Sequence, residues 1–194
     1  NILLENKEIK SIFLIAFPEL KYLDRLEKFL ILSKKNILSQ SPETIFSILL
    51  VDEKDNYQYF CHKYKVSKKL KKDLRSIADN YIKFKEEKNY LKKDLKKNIY
   101  KLGKNNIKKL LGFIYCAELK FSIKLLNNII KEINNINIPK FPFDGKYLID
   151  QGLLDGKKIG RALKELEKEW IQKNFNLKTK EVTFIVDKIK KLNI

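Results

Sequence analysis

Residues 141–170 read FPFDGKYLIDQGLLDGKKIGRALKELEKEW and contain four of the six glycines of a 194-residue chain. Asp144 is positioned to cap a short helix over Lys146–Gln151, and Gly152 can end that helix in the left-handed conformation that residues with a β-carbon avoid. Asp155 can then cap a second helix. Four apolar residues recur along one face of this second helix: Ile159, Leu163, Leu166 and Trp170. The stretch therefore predicts a helical hairpin.

The interior of this hairpin is expected to be apolar. Leu153 and Leu154 are expected to bury the turn, and Gly160 to let the two helices approach closely. Trp170 is expected to belong to the core rather than to a base-stacking site.

The turn of the hairpin also predicts a phosphate site. The first amides of the second helix are expected to be unpaired and to lie at the positive end of the helix dipole. Four basic side chains surround this position: Lys146, Lys157, Lys158 and Arg161. A tight turn needs the same glycines without any ligand, so a purely structural hairpin stays open. A P-loop is excluded, because three residues instead of four separate Gly152 from Gly156 and no Ser or Thr follows the lysine.

Positive charge dominates the composition. Lysine and arginine total 42 against 24 acidic residues, which gives a net charge of +18 and favours a polyanionic partner, nucleic acid first. The charge is uneven, because residues 63–109 carry 18 basic and 5 acidic residues, whereas residues 1–50 carry 7 and 6. Such a concentration favours a functional basic face, with a solvated helical surface as the alternative.

The first basic helix supplies the other candidate RNA contacts. Ser67 can cap it, and apolar residues recur at helical spacing on one face, from Leu70 to Tyr81. The opposite face is rich in lysine, and four of its residues are predicted to contact phosphates: Lys68, Lys69, Lys72 and Arg75.

Helical periodicity extends along nearly the whole chain, which predicts an all-α fold, an elongated array of helical modules. Beyond the hairpin and the first basic helix, the predicted helices are Ile9–Ala16, Glu19–Leu32, a helix from the Ser41 cap to Val51, Lys88–Leu102 ended by Gly103, Asn105–Leu119 and Phe121–Ile136. The β-branched stretch from Val182 could form a strand, but its continuation, Asp187–Leu192, favours a final amphipathic helix. Residues 52–56 are predicted to form a turn. Prolines at 139 and 142 predict a boundary between a helical body region, 1–137, and a tail module, 138–194.

Several kinds of catalysis are disfavoured. His62 is the only histidine, and Cys61 and Cys116 lack the spacing of a zinc site, so neither a metal nor a catalytic residue is predicted. No D-x-D pair is present to hold the magnesium ions of nucleotidyl transfer, and the acidic run from Glu165 to Glu169 has the spacing of a solvated helix face.

The chain is expected to be cytoplasmic and not to enter a membrane, because it contains neither a long apolar run nor a secretory signal. It has no methionine and opens on Asn1, which predicts that it is a piece of a longer protein.

The segment from Phe141 to Ile149, followed by Gly152, Gly156 and Ile159-Gly160, resembles the tail signature of bacterial class II CCA-adding tRNA nucleotidyltransferases, of the poly(A) polymerase family. The spacing matches without a gap, although Tyr147 stands where that family usually has an acid, and Asp155 where it usually has proline. Phe17-Pro18-Glu19-Leu20 and residues 63–74 are similar to weaker motifs of the family's body region.

The resemblance implies that this chain binds the acceptor and T-arm of tRNA, as the body and tail of an enzyme of tRNA 3′-end processing. Members of that family carry a catalytic head with a Gly-Ser motif and a D-x-D pair, and a neck that selects CTP and ATP. Neither motif occurs here, so the chain alone is expected to be inactive and to need no cofactor, whereas the head would use Mg²⁺ with CTP or ATP. The head and neck are the expected protein partners.

Two other functions fit the same pattern. A basic helical module could bind an acidic protein, and a glycine-rich helical hairpin also occurs in helix-hairpin-helix modules that bind DNA.

Overall fold

The computed structural model describes residues 6–37, 40–87 and 89–191, and within them the fold is all-α, with twelve helices and no strand. The chain divides into two compact units, Asn1–Ile136 and Asn137–Ile194. The helices of unit 1 are α1 Lys7–Ala16, α2 Arg25–Lys34, α3 Pro42–Leu50, α4 Asn56–Lys63, α5 Lys68–Glu86, α6 Tyr90–Lys93, α7 Leu95–Leu102, α8 Lys104–Ala117 and α9 Ile123–Asn135. Those of unit 2 are α10 Gly145–Asp150, α11 Gly156–Gln172 and α12 Thr179–Lys190.

Unit 1 is built around α8, which packs against α2, α3, α5, α7 and α9. Seven of its fourteen residues are buried, among them Leu110, Phe113 and Ile114, each at most 1 % exposed. Burying one such side chain contributes roughly 1.5–3 kcal/mol, so α8 is the main source of apolar stabilisation in this unit. The continuous apolar run after Lys109 predicts this position.

Serine side chains cap three helices of unit 1, and the caps at Ser41 and Ser67 were predicted from their residue type. Ser41 Oγ accepts from the Thr44 amide, Ser67 Oγ from Leu70, and Ser122 Oγ from Leu125. Each bond satisfies an amide that the helix itself leaves unpaired, which stabilises the helix by about 1 kcal/mol.

The segment 19–32 differs from its prediction, because its helix begins only at Arg25. Glu19 is 4 % exposed and accepts a hydrogen bond from Lys63 Nζ of α4 at 2.8 Å. This bond to a helix distant in sequence holds the segment before α2 in place. Buried Arg25 donates to the carbonyl oxygens of Ile48 and Val51, at 3.2 and 2.7 Å, at the end of α3. Tertiary contacts therefore override the helical periodicity here.

Two further elements of unit 1 differ from the sequence prediction. Residues 56–63 form α4, a helix that was not predicted, and its Asn56 Nδ2 donates to the carbonyl oxygens of Glu19 and Leu50. The predicted helix 88–102 is divided at Asp94, whose φ of −131° is not helical, into α6 and α7. Gly103 ends α7 with a φ of +83°, as its residue type predicts.

Unit 2 contains the predicted hairpin, with α10 and α12 packed on α11. Asp144 and Asp155 cap α10 and α11, and Gly152 has the positive φ expected of it, +84°. Trp170 is buried, as predicted. The core of this unit contains Leu148, Leu153, Ala162, Leu166, Val182, Val186 and Ile189.

Two expectations about the interior of the hairpin are wrong. Leu154 is 83 % exposed, so only Leu153 buries the turn. A β-carbon added at Gly160 would meet nothing within 4 Å, so this glycine is not where two helices approach closely. At Gly145, by contrast, an added β-carbon would lie 3.8 Å from Ile159 Cγ2, so α10 contacts α11 there.

No helix among the described residues is both long and apolar enough to span a bilayer.

Candidate nucleic-acid interface

A groove of about 530 Å³ runs between α5 and the pair α6 and α7 in unit 1, here called the α5–α7 groove. Basic side chains line both of its walls. Those that line it are Lys72, Arg75 and Lys83 on α5, Lys93 on α6 and Lys101 on α7. Because the cations stand on opposite walls, a polyanion lying in the groove would contact positive charge from two sides.

Helical periodicity explains why lysines face the groove. On α5 the buried residues Leu74, Ala78 and Tyr81 recur every three or four positions, which turns the intervening basic residues outward. On α6 and α7 the buried residues are Leu91, Leu95 and Ile99, and Lys93 and Lys101 lie on the groove side.

The two walls are joined by a hydrogen-bonded amide. The Tyr90 hydroxyl of α6 donates to Asn80 Oδ1 of α5 at 2.5 Å, and Asn80 Nδ2 donates to the Ser76 carbonyl oxygen at 2.7 Å. Asn80 is only 8 % exposed, so this bond forms in a low-dielectric environment. Burial raises the pKa of the Tyr90 hydroxyl, which therefore stays protonated and continues to donate. The bond fixes α6 against α5 and sets the width of the groove at that point.

Acidic residues neutralise only part of the groove. Asp79, Glu87 and Asp94 also line it, against five basic residues. Arg75 Nε lies 3.5 Å from Asp79 Oδ2, and Lys97 Nζ lies 3.1 Å from Asp94 Oδ1. Among the described residues, no carboxylate lies within 4.0 Å of four of the lining ammonium groups: those of Lys72, Lys83, Lys93 and Lys101. These four are called the free groove lysines.

The candidate residues predicted on α5 have different positions. Lys72 and Arg75 line the groove, whereas Lys68 is exposed outside it. Lys69 Nζ forms an ion pair with Glu43 Oε1 of α3 at 3.3 Å, so its charge is already partly neutralised. Lys83, Lys93 and Lys101 also line the groove and are not among the predicted contacts. Lys83 was detectable, because it lies eleven residues after Lys72 and so on the same helical face.

The backbone amides at the start of α11, which were predicted to be unpaired, have a hydrogen-bond partner in the structure. Asp155 Oδ1 accepts from the Lys157 amide at 2.7 Å and from the Lys158 amide at 3.4 Å. The amides of Lys157 and Lys158 are therefore not free for a phosphate, because a carboxylate already occupies the positive end of the helix dipole. The prediction is wrong because the Asp155 side chain that caps the helix is itself the hydrogen-bond partner of these amides.

The four basic side chains predicted around the hairpin turn have different surroundings. Lys158 Nζ donates to the carbonyl oxygen of Lys190 at 3.0 Å, which satisfies a terminal acceptor of α12. Lys146 and Lys157 are exposed, and within the described part of the chain neither forms an ion pair. Arg161 lies one turn into α11 and lines a separate cleft between α11 and α12.

The thiols and the single histidine form no metal site among the described residues, where no group of three or more His, Cys, Asp or Glu side chains converges. Cys61 and Cys116 are both buried and unpaired with each other. Burial raises the pKa of Cys116 to about 12, so its thiol is protonated at neutral pH and is a weak nucleophile.

Comparison with other proteins does not place the chain in a family. No family model matches it, and neither the curated proteins nor the solved structures give a significant match. Its function is therefore inferred from its own residues.

Proposed function

We propose that this chain binds folded RNA by its phosphate backbone, and that the RNA is tRNA, as the resemblance of residues 141–160 to CCA-adding enzymes implies. The observation that carries the proposal is the row of free groove lysines on two facing walls of one groove. Lysine ammonium groups without an internal partner are available to replace the counterions of a polyanion. If the lysines only kept the helices solvated, they would not need to lie on two facing walls of the same groove.

RNA suits this groove because an A-form helix is recognised mainly through phosphate and 2′-hydroxyl groups. The ammonium groups supply phosphate contacts, and the exposed Arg75–Asp79 pair costs little to open for a further one. None of these contacts discriminates between bases. The groove is therefore suited to ligands that share a shape and differ in sequence, as tRNAs do.

In this proposal the chain contributes binding alone. Nucleotide addition, with its Mg²⁺ and CTP or ATP, would belong to the catalytic head and neck that the resemblance implies. Unit 2 would add the exposed cations Lys146 and Lys157, and its hairpin amides would add nothing, because Asp155 occupies them.

The first experiment measures the affinity of the chain for tRNA at several salt concentrations. Four phosphate contacts predict that log K falls with log salt with a slope of about −3 or steeper. Transcripts of unrelated tRNA sequences should compete equally, because no base is read. No affinity at low salt, or an affinity that salt does not change, would contradict RNA binding through phosphates.

Competition separates the alternatives. Duplex DNA that displaces tRNA at a lower concentration than folded RNA does would favour a helix-hairpin-helix module, which the occupied amides of α11 disfavour. An acidic polypeptide that binds more tightly than tRNA at equal ionic strength would favour the protein-interaction module.

A further inference from the structure

The cleft between α11 and α12 in unit 2, here called the α11–α12 cleft, has a volume of about 500 Å³ and two charged walls. Arg161, Glu165 and Glu169 follow each other at one-turn spacing on α11, and Lys180, Phe184 and Lys188 do so on α12. Leu177, Ile185 and Ile189 form an apolar floor between them. The cleft is separate from the α5–α7 groove, whose lining residues all belong to unit 1.

Phe184 is the most unusual residue of this cleft. It is 71 % exposed, the largest exposed fraction of any aromatic side chain among the described residues. The residues that α12 buries in the core are Val182, Val186 and Ile189, so the Phe184 side chain is not part of the core. A lysine lies one helical turn before it and another one turn after it, so an aromatic face is bracketed by two cations.

The charges of the two walls neutralise each other only in part, because Lys173 and Glu181, which also line the cleft, form an ion pair. Within the described part of unit 2, none of Arg161, Glu165, Glu169, Lys180 and Lys188 forms an ion pair within 4.0 Å. The unpaired carboxylates of Glu165 and Glu169 on α11 and the unpaired ammonium groups of Lys180 and Lys188 on α12 therefore line the cleft, together with the aromatic ring of Phe184.

We infer that the α11–α12 cleft binds an unpaired base of single-stranded RNA together with its phosphates. The inference rests on the proposed RNA-binding function and adds to it a site that contacts bases. The base stacks on Phe184, its phosphates contact Lys180 and Lys188, and the edge of the base faces Glu165 and Glu169. Stacking on exposed aromatic rings between cations is how proteins bind single strands, because every base has a flat apolar face.

The carboxylates give this site a base preference. A carboxylate accepts from exocyclic amino groups, as Glu and Asp do from cytosine N4. Adenine, cytosine and guanine carry such a group and uracil does not. The α11–α12 cleft therefore prefers oligo(A) and oligo(C) over oligo(U), a selectivity that the phosphate contacts of the α5–α7 groove cannot produce.

The test uses the full chain and labelled RNA oligonucleotides of about eight nucleotides, within the range of known single-strand sites, with affinity measured by fluorescence anisotropy. Phe184→Ala should weaken oligo(A) binding about tenfold, whereas Phe184→Tyr should restore it because the ring is kept. Tyr59→Ala is the matched control, since Tyr59 is 58 % exposed in unit 1, and it should change nothing. The double change Glu165→Gln and Glu169→Gln should reduce the preference for oligo(A) over oligo(U).

Each outcome bears on one of the two proposals. Binding of tRNA without binding of any oligonucleotide would overturn the α11–α12 cleft site and leave the α5–α7 groove intact. Equal losses from Phe184→Ala and Tyr59→Ala, or equal affinity for oligo(A) and oligo(U), would also overturn it. Failure to bind either tRNA or oligonucleotides would contradict the proposed function as well.

Discussion

The α5–α7 groove and the hairpin turn are both rich in lysine, but their charges have different partners. In the groove, four ammonium groups on two walls have no carboxylate within 4.0 Å among the described residues. At the hairpin turn, the Asp155 carboxylate binds the helix amides and Lys158 binds a terminal carbonyl oxygen of α12. Positive charge that already has an internal partner stabilises the fold, and charge without one is available to a ligand. Local lysine density does not distinguish the two cases.

The largest expected effect is on tRNA binding when all four free groove lysines are replaced by alanine. The combined variant is Lys72→Ala, Lys83→Ala, Lys93→Ala and Lys101→Ala. The salt slope should decrease by about 3, and affinity at low salt should fall about 100-fold or more. The matched control replaces four exposed lysines of unit 1 outside the groove, namely Lys54, Lys120, Lys124 and Lys131. An equal loss in this control would mean that net charge, and not the groove, determines binding.

The second prediction compares the two units at alkaline pH. All tyrosines and cysteines with a raised pKa lie in unit 1, where burial raises the pKa of Cys116 from 9.0 to about 12. The unfolded thiol would ionise near pH 9 while the folded thiol stays protonated, so this contribution to stability is complete below pH 9 and is lost as pH rises towards 12. From this thiol alone, the free energy of unfolding of unit 1 should fall by about 2–3 kcal/mol between pH 9 and about 11.

Denaturant titrations can follow the two units separately. Trp170 is the only tryptophan and is buried in unit 2, so its fluorescence reports that unit, while far-UV circular dichroism is dominated by the helices of unit 1. Cys116→Ala should reduce the pH dependence of the circular dichroism transition. A Trp170 transition that shifts with pH as much as the circular dichroism transition does would contradict the assignment to unit 1.

A smaller effect is expected from Tyr90→Phe, which removes the hydrogen bond between the walls of the α5–α7 groove. Asn80 Oδ1 would be left without its donor, so the free energy of unfolding should fall by about 1–3 kcal/mol. Binding of tRNA should weaken only a few-fold, because every cation remains. Tyr59→Phe, at an exposed position, serves as the control. If Tyr90→Phe weakens binding as much as the fourfold lysine variant does, the hydroxyl contacts RNA and is not a tie between helices.

The smallest effect is expected at the hairpin turn. The double change Lys157→Ala and Lys158→Ala should lower the salt slope by at most about 1, because only the Lys157 ammonium group is free. A decrease of about 2 would show that Lys158 leaves the Lys190 carbonyl oxygen to bind RNA. An internal partner would then not prevent a lysine of the hairpin turn from binding RNA as the groove lysines do.

Local sequence features predicted much of the fold. The serine caps at 41 and 67, the aspartate caps at 144 and 155 and the positive φ of Gly152 each depend on residues within a few positions, so residue type was sufficient. The start of α2 was not predictable, because it depends on Glu19 bonding to Lys63 and on Arg25 bonding to the end of α3. Such long-range bonds leave no local periodicity in the sequence.

The candidate site was predicted less completely for the same reason. Periodicity identified the lysine face of α5 but could not show which helix faces it across a groove. Lys93 and Lys101 line the opposite wall only because α7 packs on α8, α6 contacts α5 and the chain breaks at Asp94. At the hairpin turn the sequence identified the basic residues. It did not show that Asp155 binds the first amides of α11 or that Lys158 binds the Lys190 carbonyl oxygen.

Lysine footprinting of the complex with tRNA tests directly whether the α5–α7 groove binds RNA. An amine-reactive reagent modifies exposed amino groups, and mass spectrometry measures the rate of modification at each lysine. Bound tRNA should protect Lys72, Lys83, Lys93 and Lys101, while Lys54, Lys120, Lys124 and Lys131 should react as fast as in the free protein. Equal modification of the two sets in a complex known to have formed would contradict the assignment of RNA binding to the α5–α7 groove.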